Sequence, residues 1–527
     1  MPKKPVLVLI LLLALLPSAR VLLEFRHQPY LGIIHDDSVY WVTAKSIGLA
    51  GDYRIESLPD HPYQTKYPPL YPLFLSWVWK ADQAFPHNLP LALTAQWLLL
   101  PLMLCALFAF FGSLELSPWV RVFLCVLIAV NPYVGFYGMM LASEMLFLIL
   151  FLASLTLLVM ARNRTGAKFA AVAGLLASAA YLTRVAGLPL LPVGVLYLAV
   201  GRQYRKAAAF AAAMLPAIAC WTLWSRAHAL QTTDPALLMY ISYSGDYLST
   251  VSLRTLPAVV WTNWGHLASA MTSLLIPNAT HILFGQQAAY LLIAASVAGA
   301  VRVAARHGWH PIHFFALAYS AILLAWNWTP SERMTLPLLP LMLAGVATEV
   351  EHIGSMVSKS TARPWTRLAT CGAAALLFVS CNLYTYWTLV PWLFRTEHEA
   401  LERNRDAYQW IGENTAPSAT FMTWGDVVLY LHTGRRAIRP PQARIFEEGT
   451  DEGPPEQAFS AWSDFAARTG AYLFLSTADV AGDQKEAQLA SLGNMVIANT
   501  RFRPLYRTPQ SVILRLEATP QSASSRD

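Results

Sequence analysis

Two adjacent carboxylates, Asp36 and Asp37, stand in the stretch Ile34-His35-Asp36-Asp37-Ser38-Val39-Tyr40-Trp41, shortly after the first apolar segment ends. A carboxylate near a membrane surface, wet enough to stay ionised, can take the proton from an acceptor hydroxyl as a general base. The same residues also fit a helix start, where acids offset the helix dipole. His35 extends the pair toward a metal set, but three consecutive residues do not readily face one ion, so no metal site is assigned. Further along the same loop, Lys66 opens the run Lys66-Tyr67-Pro68-Pro69-Leu70-Tyr71-Pro72. An ammonium at headgroup depth can hold a phosphate, although snorkelling at a helix end is its ordinary use. Tyr67, with Tyr63 and Tyr71, could stack on a sugar or form part of an interfacial aromatic belt. Glu144 in "LASEMLF", Arg184 in "YLTRVAGLP" and Arg333 in "SERMTLPLLP" complete the set of substrate-binding candidates. The two arginines fall at outer ends of apolar runs, where topology does not call for cations, and they could neutralise a phosphate leaving group.

These residues are positioned by apolar runs close to the ~20 residues a helix needs to cross a bilayer. The first is Pro5 to Leu23. Its apolar run is long for a signal peptide and Pro17-Ser18-Ala19-Arg20 is a poor cleavage site, so it reads as an uncleaved anchor. Further runs lie near 89–111, 119–137, 141–161, 168–186, 188–201, 207–224, 286–304, 311–328, 334–350 and 368–390, giving about 11 spans. With Lys3 and Lys4 cytoplasmic, Arg162, Arg164, Lys168, Arg202, Arg205, Lys206, Arg302, Arg306, Lys359, Arg363 and Arg367 all fall on that side. An odd span count then places a long loop, 24–88, and the C-terminus on the outer face. A second outer loop is expected from about 225 to 285.

The sequence predicts a polytopic α-helical membrane domain over 1–394, a mixed α/β extracytoplasmic domain over 395–518 and a disordered tail over 519–527. Within the second domain a helical pattern covers Glu397 to Asn414. Strand-like runs follow at Thr420–Trp424, Val427–His432, Tyr472–Ser476, Met495–Ala498 and Val512–Leu516.

Charged residues make up 13% of the 527 residues and hydrophobic ones 55%, a balance that excludes an ordinary soluble enzyme. The net charge of +7 is spread through short loops and is no nucleic-acid footprint. The five cysteines lie in or beside apolar runs and form no disulfide framework. No GxGxxG or Walker pattern marks a nucleotide site, and no cofactor is called for.

Taken together and in order, the acid pair with Tyr40 and Ala44, "GDY", "KYPPLYP", "SEM", "YLTR" and "ER" before "LPLLP" resemble the GT-C glycosyltransferases. The nearest branch is that of the protein O-mannosyltransferases and the aminoarabinose transferase of lipid A, and the resemblance covers about residues 1–395. It implies a polyprenyl-phosphate-linked sugar as donor, an envelope glycan, lipid or protein as acceptor, reaction on the outer face of a bacterial inner membrane, and inversion at the anomeric carbon. It also implies that Asp36, matching the first acid of the family's pair, is the base. Two departures stand out: the usual Asp-Glu pair is Asp36-Asp37, and the usual Lys-Pro-Pro-Leu carries Tyr67 inserted after Lys66. Two rival readings are a multi-pass transporter or flippase and a non-catalytic scaffold. A transporter would place ionisable groups near the bilayer midplane, whereas here they gather at one face. A scaffold would not require Asp36, Lys66, Glu144 and Arg333 to converge.

Overall fold

Lipid offers a backbone no hydrogen-bonding partner, so each apolar run must close its own bonds as a helix. A computed structural model describes residues 4–28, 30–232, 235–279, 284–360, 364–440, 455–479 and 502–516, and every one of the eleven runs falls on a helix. Among the described residues six helices are long and apolar enough to cross a membrane: Pro5–Phe25, Leu89–Ser113, Glu144–Asn163, Tyr204–Ala227, Gly285–Arg306 and Glu332–Met356. The pair Pro118–Ala129 and Pro132–Met139, bent by 64° at Asn131, makes a seventh if it counts as one span. Asn131 caps the second of these helices through its side chain, and Pro132 sits at the first turn, where a missing N–H costs nothing. Lys168–Thr183, Val185–Val200 and Pro311–Ala325 are apolar but shorter than a full span.

Close packing between spans relies on small residues. The helix Gly285–His307 crosses Leu339–Ser360 at Gly299 and Gly345. A Cβ on Gly299 would run into the carbonyl of Gly345, and one on Gly345 into the carbonyl of Ser296.

The expected outer loop from 225 to 285 is largely helical instead, with Pro235–Ile241, Tyr243–Thr250 and Leu256–Leu275. The last of these carries Asn263, Leu267 and Leu274 on its buried face while Trp261 and Trp264 are exposed, so it was too mixed to read as an apolar run.

No break occurs at residue 394. One helix, Pro364–Asn414, runs for 51 residues through the expected domain boundary. Beyond it a five-stranded sheet is ordered β2-β1-β3-β5-β4, with β1 Thr420–Met422, β2 Arg436–Ile438, β3 Tyr472–Ser476, β4 Phe502–Arg507 and β5 Ser511–Leu516. The first three strands are parallel, and β5 runs antiparallel to β3 and β4. The strand expected over Val427–His432 is a helix, Asp426–Thr433. Its Val-Val pair suggested a strand, but Asp426 at its first turn and Gly434 in the left-handed region at φ 71° bound a short helix. The run Met495–Ala498 and the tail 519–527 lie outside the described residues.

The sheet domain keeps one apolar cluster to itself and shares a second. Ile55 and Leu58 of the loop expected over 24–88 and Tyr240 and Ile241 of the one expected over 225–285 pack with Met422, Trp424, Trp462 and Leu473 in one apolar cluster. The backbone N–H of Ala437 in β2 donates to the carbonyl of Ser57 at 2.8 Å. Both loops are thereby pinned to the C-terminal sheet.

Candidate active site

The carboxylate pair begins the helix Asp36–Lys45, with both acids in its first turn and Lys45 in its last. Residues 37 to 44 are all buried, so this helix is enclosed on every side rather than amphipathic. Neighbours one residue apart on a helix point in different directions, and the two acids part company here. Asp37 turns inward, where its carboxylate accepts from the backbone N–H of Gly32 at 2.9 Å and of Ser38 at 2.7 Å. It closes the turn that brings His35, at φ 61°, to the helix start. Paired with Asp36 as catalytic in the sequence reading, Asp37 lies outside the cavity and acts as a local clamp.

Asp36 opens on a cavity of about 420 Å³. Tyr67 donates its hydroxyl to Asp36 Oδ1 at 2.5 Å, and Arg333 Nη1 donates to Oδ2 at 2.6 Å. Tyr67 is brought there by the Pro68-Pro69 step, its carbonyl accepting from the Tyr53 hydroxyl at 2.9 Å. Arg333 Nε and Arg184 Nη1 both donate to Glu144 Oε1, and Arg184 also reaches Ser143 Oγ at 3.2 Å. Glu144 starts the helix Glu144–Asn163, Arg184 follows the end of Lys168–Thr183, and Arg333 lies in the short helical turn Glu332–Thr335. Three membrane helices therefore deliver one charged residue each to the floor of the first loop. Glu144 Oε2 and Arg333 Nη2 are buried without a hydrogen-bond partner, as groups awaiting a ligand would be.

Lys66 lies on the same cavity, its Nζ donating to the carbonyl of Met239 at 2.6 Å and resting 5.0 Å from the centre of the Tyr243 ring. Of the seven residues singled out by sequence, Asp36, Lys66, Tyr67, Arg184 and Arg333 line the cavity, Glu144 braces it from behind, and Asp37 is turned away. The remaining lining divides into two kinds. Val185, Leu188, Ile322 and Leu323 give an apolar side, whereas His35, Tyr240, Tyr243 and Arg439 were not foreseen as substrate contacts. Arg439 comes from the C-terminal domain, more than four hundred residues from Asp36 in the chain, and no local pattern in "RRAIRP" announces it.

Electrostatics separate the two acids. Burial works to raise the Asp36 carboxyl, but the Arg333 guanidinium, the Tyr67 hydroxyl and Lys66 outweigh it and hold the group well below the usual carboxylate range. Burial pushes Asp37 up to about 6, with the Asp36 charge adding to the rise and its two backbone N–H bonds opposing it. His35 is lowered, first by burial and then by Arg439. Among the described residues no group of three or more His, Cys, Asp or Glu side chains is arranged to hold a metal ion.

This architecture has counterparts among solved structures. ArnT from Cupriavidus metallidurans bound to undecaprenyl phosphate matches with a TM-score of 0.55 at 14% identity, over 98% of this chain and 98% of that one. The oligosaccharyltransferase of Archaeoglobus fulgidus matches at 0.57 and 13%, over 95% of this chain and 73% of its own. The fold is one that these two transferases share. The arabinofuranosyltransferase AftD from Mycobacteria shares it at 0.51 and 15% identity, with 98% of this chain covering 40% of that longer one. No protein-family model and no curated protein matches the sequence. Its apolar helices make the chain an integral membrane protein, and its ionisable residues converge where the loops meet the ends of the helices.

Proposed function

We propose that the protein is a glycosyltransferase of the outer membrane face, moving a hexose or pentose from a polyprenyl-phosphate donor to an envelope glycan, lipid or protein with inversion. The observation that carries this reading is a single carboxylate, Asp36, opening on a cavity whose lining divides into cations and apolar side chains. An amphiphilic donor with an anionic headgroup and a hydrocarbon tail suits that division. The eleven-span topology, with the N-terminus inside and the C-terminal domain outside, belongs to the same proposal and is supported by the distribution of Lys and Arg. A transporter is favoured less, because the charged cluster sits at helix ends.

In the proposed step the acceptor hydroxyl gives its proton to Asp36 while its oxygen attacks the anomeric carbon. The bond from that carbon to the phosphate oxygen breaks, and the electron pair leaves with the polyprenyl phosphate. Lys66, Arg184 and Arg333 supply the counter-charge, and no metal is assigned a role. At rest Asp36 is a weak base, because Arg333 and Tyr67 stabilise its ionised form. A phosphate that draws Arg333 toward itself would loosen that pair and restore basicity when the donor is in place.

The test is sugar transfer by the purified protein in nanodiscs, supplied with radiolabelled polyprenyl-phosphate monosaccharides and envelope extract. Asp36→Asn is expected to lose on the order of 10²-fold or more in rate, the usual scale for removing a general base. A chelator is expected to leave wild-type transfer unchanged. Near-normal turnover by Asp36→Asn would remove the assignment.

A further inference from the structure

Four cations line the cavity in two pairs, Arg184 with Arg333 and Lys66 with Arg439, and each pair has a carboxylate close by. Arg184 and Arg333 share Glu144, and Arg333 also bonds Asp36. The second pair is assembled from distant segments. Lys66 donates to the carbonyl of Met239, and the backbone N–H of Arg439 donates to the hydroxyl of Tyr240 at 3.0 Å, so the two cations flank consecutive residues.

The carboxylate beside Arg439 is Asp426, fully buried at the start of its helix. Asp426 is already engaged, by His35 Nε2 at 3.1 Å and by the Tyr240 hydroxyl at 2.7 Å. Arg439 Nε stands 3.6 Å from Asp426 Oδ1, beyond a good hydrogen bond, and is buried without a partner. Asp426 thus fixes where the guanidinium sits without consuming its donors. A partly buried arginine on the cavity, its Nε without a hydrogen-bond partner, suits a ligand with several acceptor oxygens, and phosphate fits its planar fork.

We propose that Arg439 is a substrate-binding residue that, with Lys66, seats the phosphate of the lipid-linked donor. Asp426 and His35 act as positioning residues. The seat is then split between the membrane domain and the C-terminal domain, and only their docking completes it. This rests on the glycosyltransferase reading above, and it gives the C-terminal domain a part in donor binding.

The experiment uses full-length protein in phosphatidylcholine nanodiscs and measures binding of farnesyl phosphate, farnesol and inorganic phosphate, with thermal unfolding as a check on folding. Wild type is expected to bind farnesyl phosphate more tightly than either of the others. Arg439→Gln is expected to weaken farnesyl phosphate about tenfold or more, the scale of one lost charge-assisted hydrogen bond, while farnesol binding stays the same. Arg439→Lys, which keeps the charge, should recover part of the loss. Unchanged farnesyl phosphate binding by Arg439→Gln overturns the inference alone, as does an equal loss of farnesol binding, which would mark a structural role. If inorganic phosphate binds wild type as tightly as farnesyl phosphate, the site is one for free anions and the inference also falls. Wild type that does not distinguish farnesyl phosphate from farnesol would remove the donor class itself and this inference with it.

Discussion

Asp36 and Asp37 are chemically one methylene-long acid repeated, yet the fold gives them opposite work. Asp36 faces the cavity between a tyrosine and an arginine, whereas Asp37 closes a turn on two backbone N–H groups. Asp37→Asn is therefore expected to cost stability through a mismatched amide, about 1–3 kcal/mol, and to lower sugar transfer far less than Asp36→Asn does. The pH response of the pair also has opposite signs. Asp37 is harder to ionise in the fold than in the unfolded chain, so keeping it neutral favours the fold most below about pH 4, and this advantage is lost as pH rises toward its folded value of about 6. Asp36 is easier to ionise in the fold, and its contribution is present above about pH 4 and lost as pH falls further. The gap in melting temperature between wild type and Asp37→Asn should thus narrow from pH 4 to 6, which thermal unfolding in detergent would record; a gap constant with pH would contradict the assignment. The acid, the lysine and the off-rule arginines were legible in the sequence because their types are unusual at those places in a membrane chain. Arg439, Asp426 and Tyr240 were not, since an arginine after a strand or an acid at a helix start has an ordinary use in every soluble domain.

Among the elements, the crossing of Gly285–His307 with Leu339–Ser360 matters beyond packing, because the second helix continues from the turn that carries Arg333. Its position is set by the contact of Gly345 with the backbone at Ser296. Gly345→Val would force the helices apart, since neither carbonyl can move without breaking its own helical bond. The expected result is a lower melting temperature and weakened transfer, with Gly345→Ala intermediate; wild-type values for Gly345→Val would show that the helices do not meet there. Apolar runs located every long membrane helix, because hydrophobic length is a strong signal when lipid is the solvent. Short segments were harder to read. Leu256–Leu275 mixes polar and apolar residues, and Val427–His432 has the β-branched content of a strand but is decided by its flanking Asp426 and Gly434.

At the scale of the whole molecule, the domain division read from composition is crossed twice, by the helix Pro364–Asn414 and by an apolar cluster joining both loops to the sheet. Neither crossing leaves a compositional mark, because contacts between segments hundreds of residues apart are written only in three dimensions. Leu58 is fully buried in that cluster, and Leu58→Asp would bury a charge with no partner. The mutant is expected to undock the sheet domain and to be cut by protease beyond residue 414 faster than wild type; equal protection would mean that the cluster is not what holds the domain. The continuous helix has a mechanical consequence as well. Its 51 residues, with Pro391 among them, have a contour of about 75 Å, more than twice a hydrocarbon core of about 30 Å. Leu401, Tyr408 and Ile411 on its outer part are built into the core of the sheet domain. A tilt of a few degrees, such as a thinner bilayer would impose, swings the far end of such a rod by roughly 4 Å, comparable to the reach of a hydrogen bond. A helix of that reach links what happens at the membrane to the sheet domain that carries Arg439.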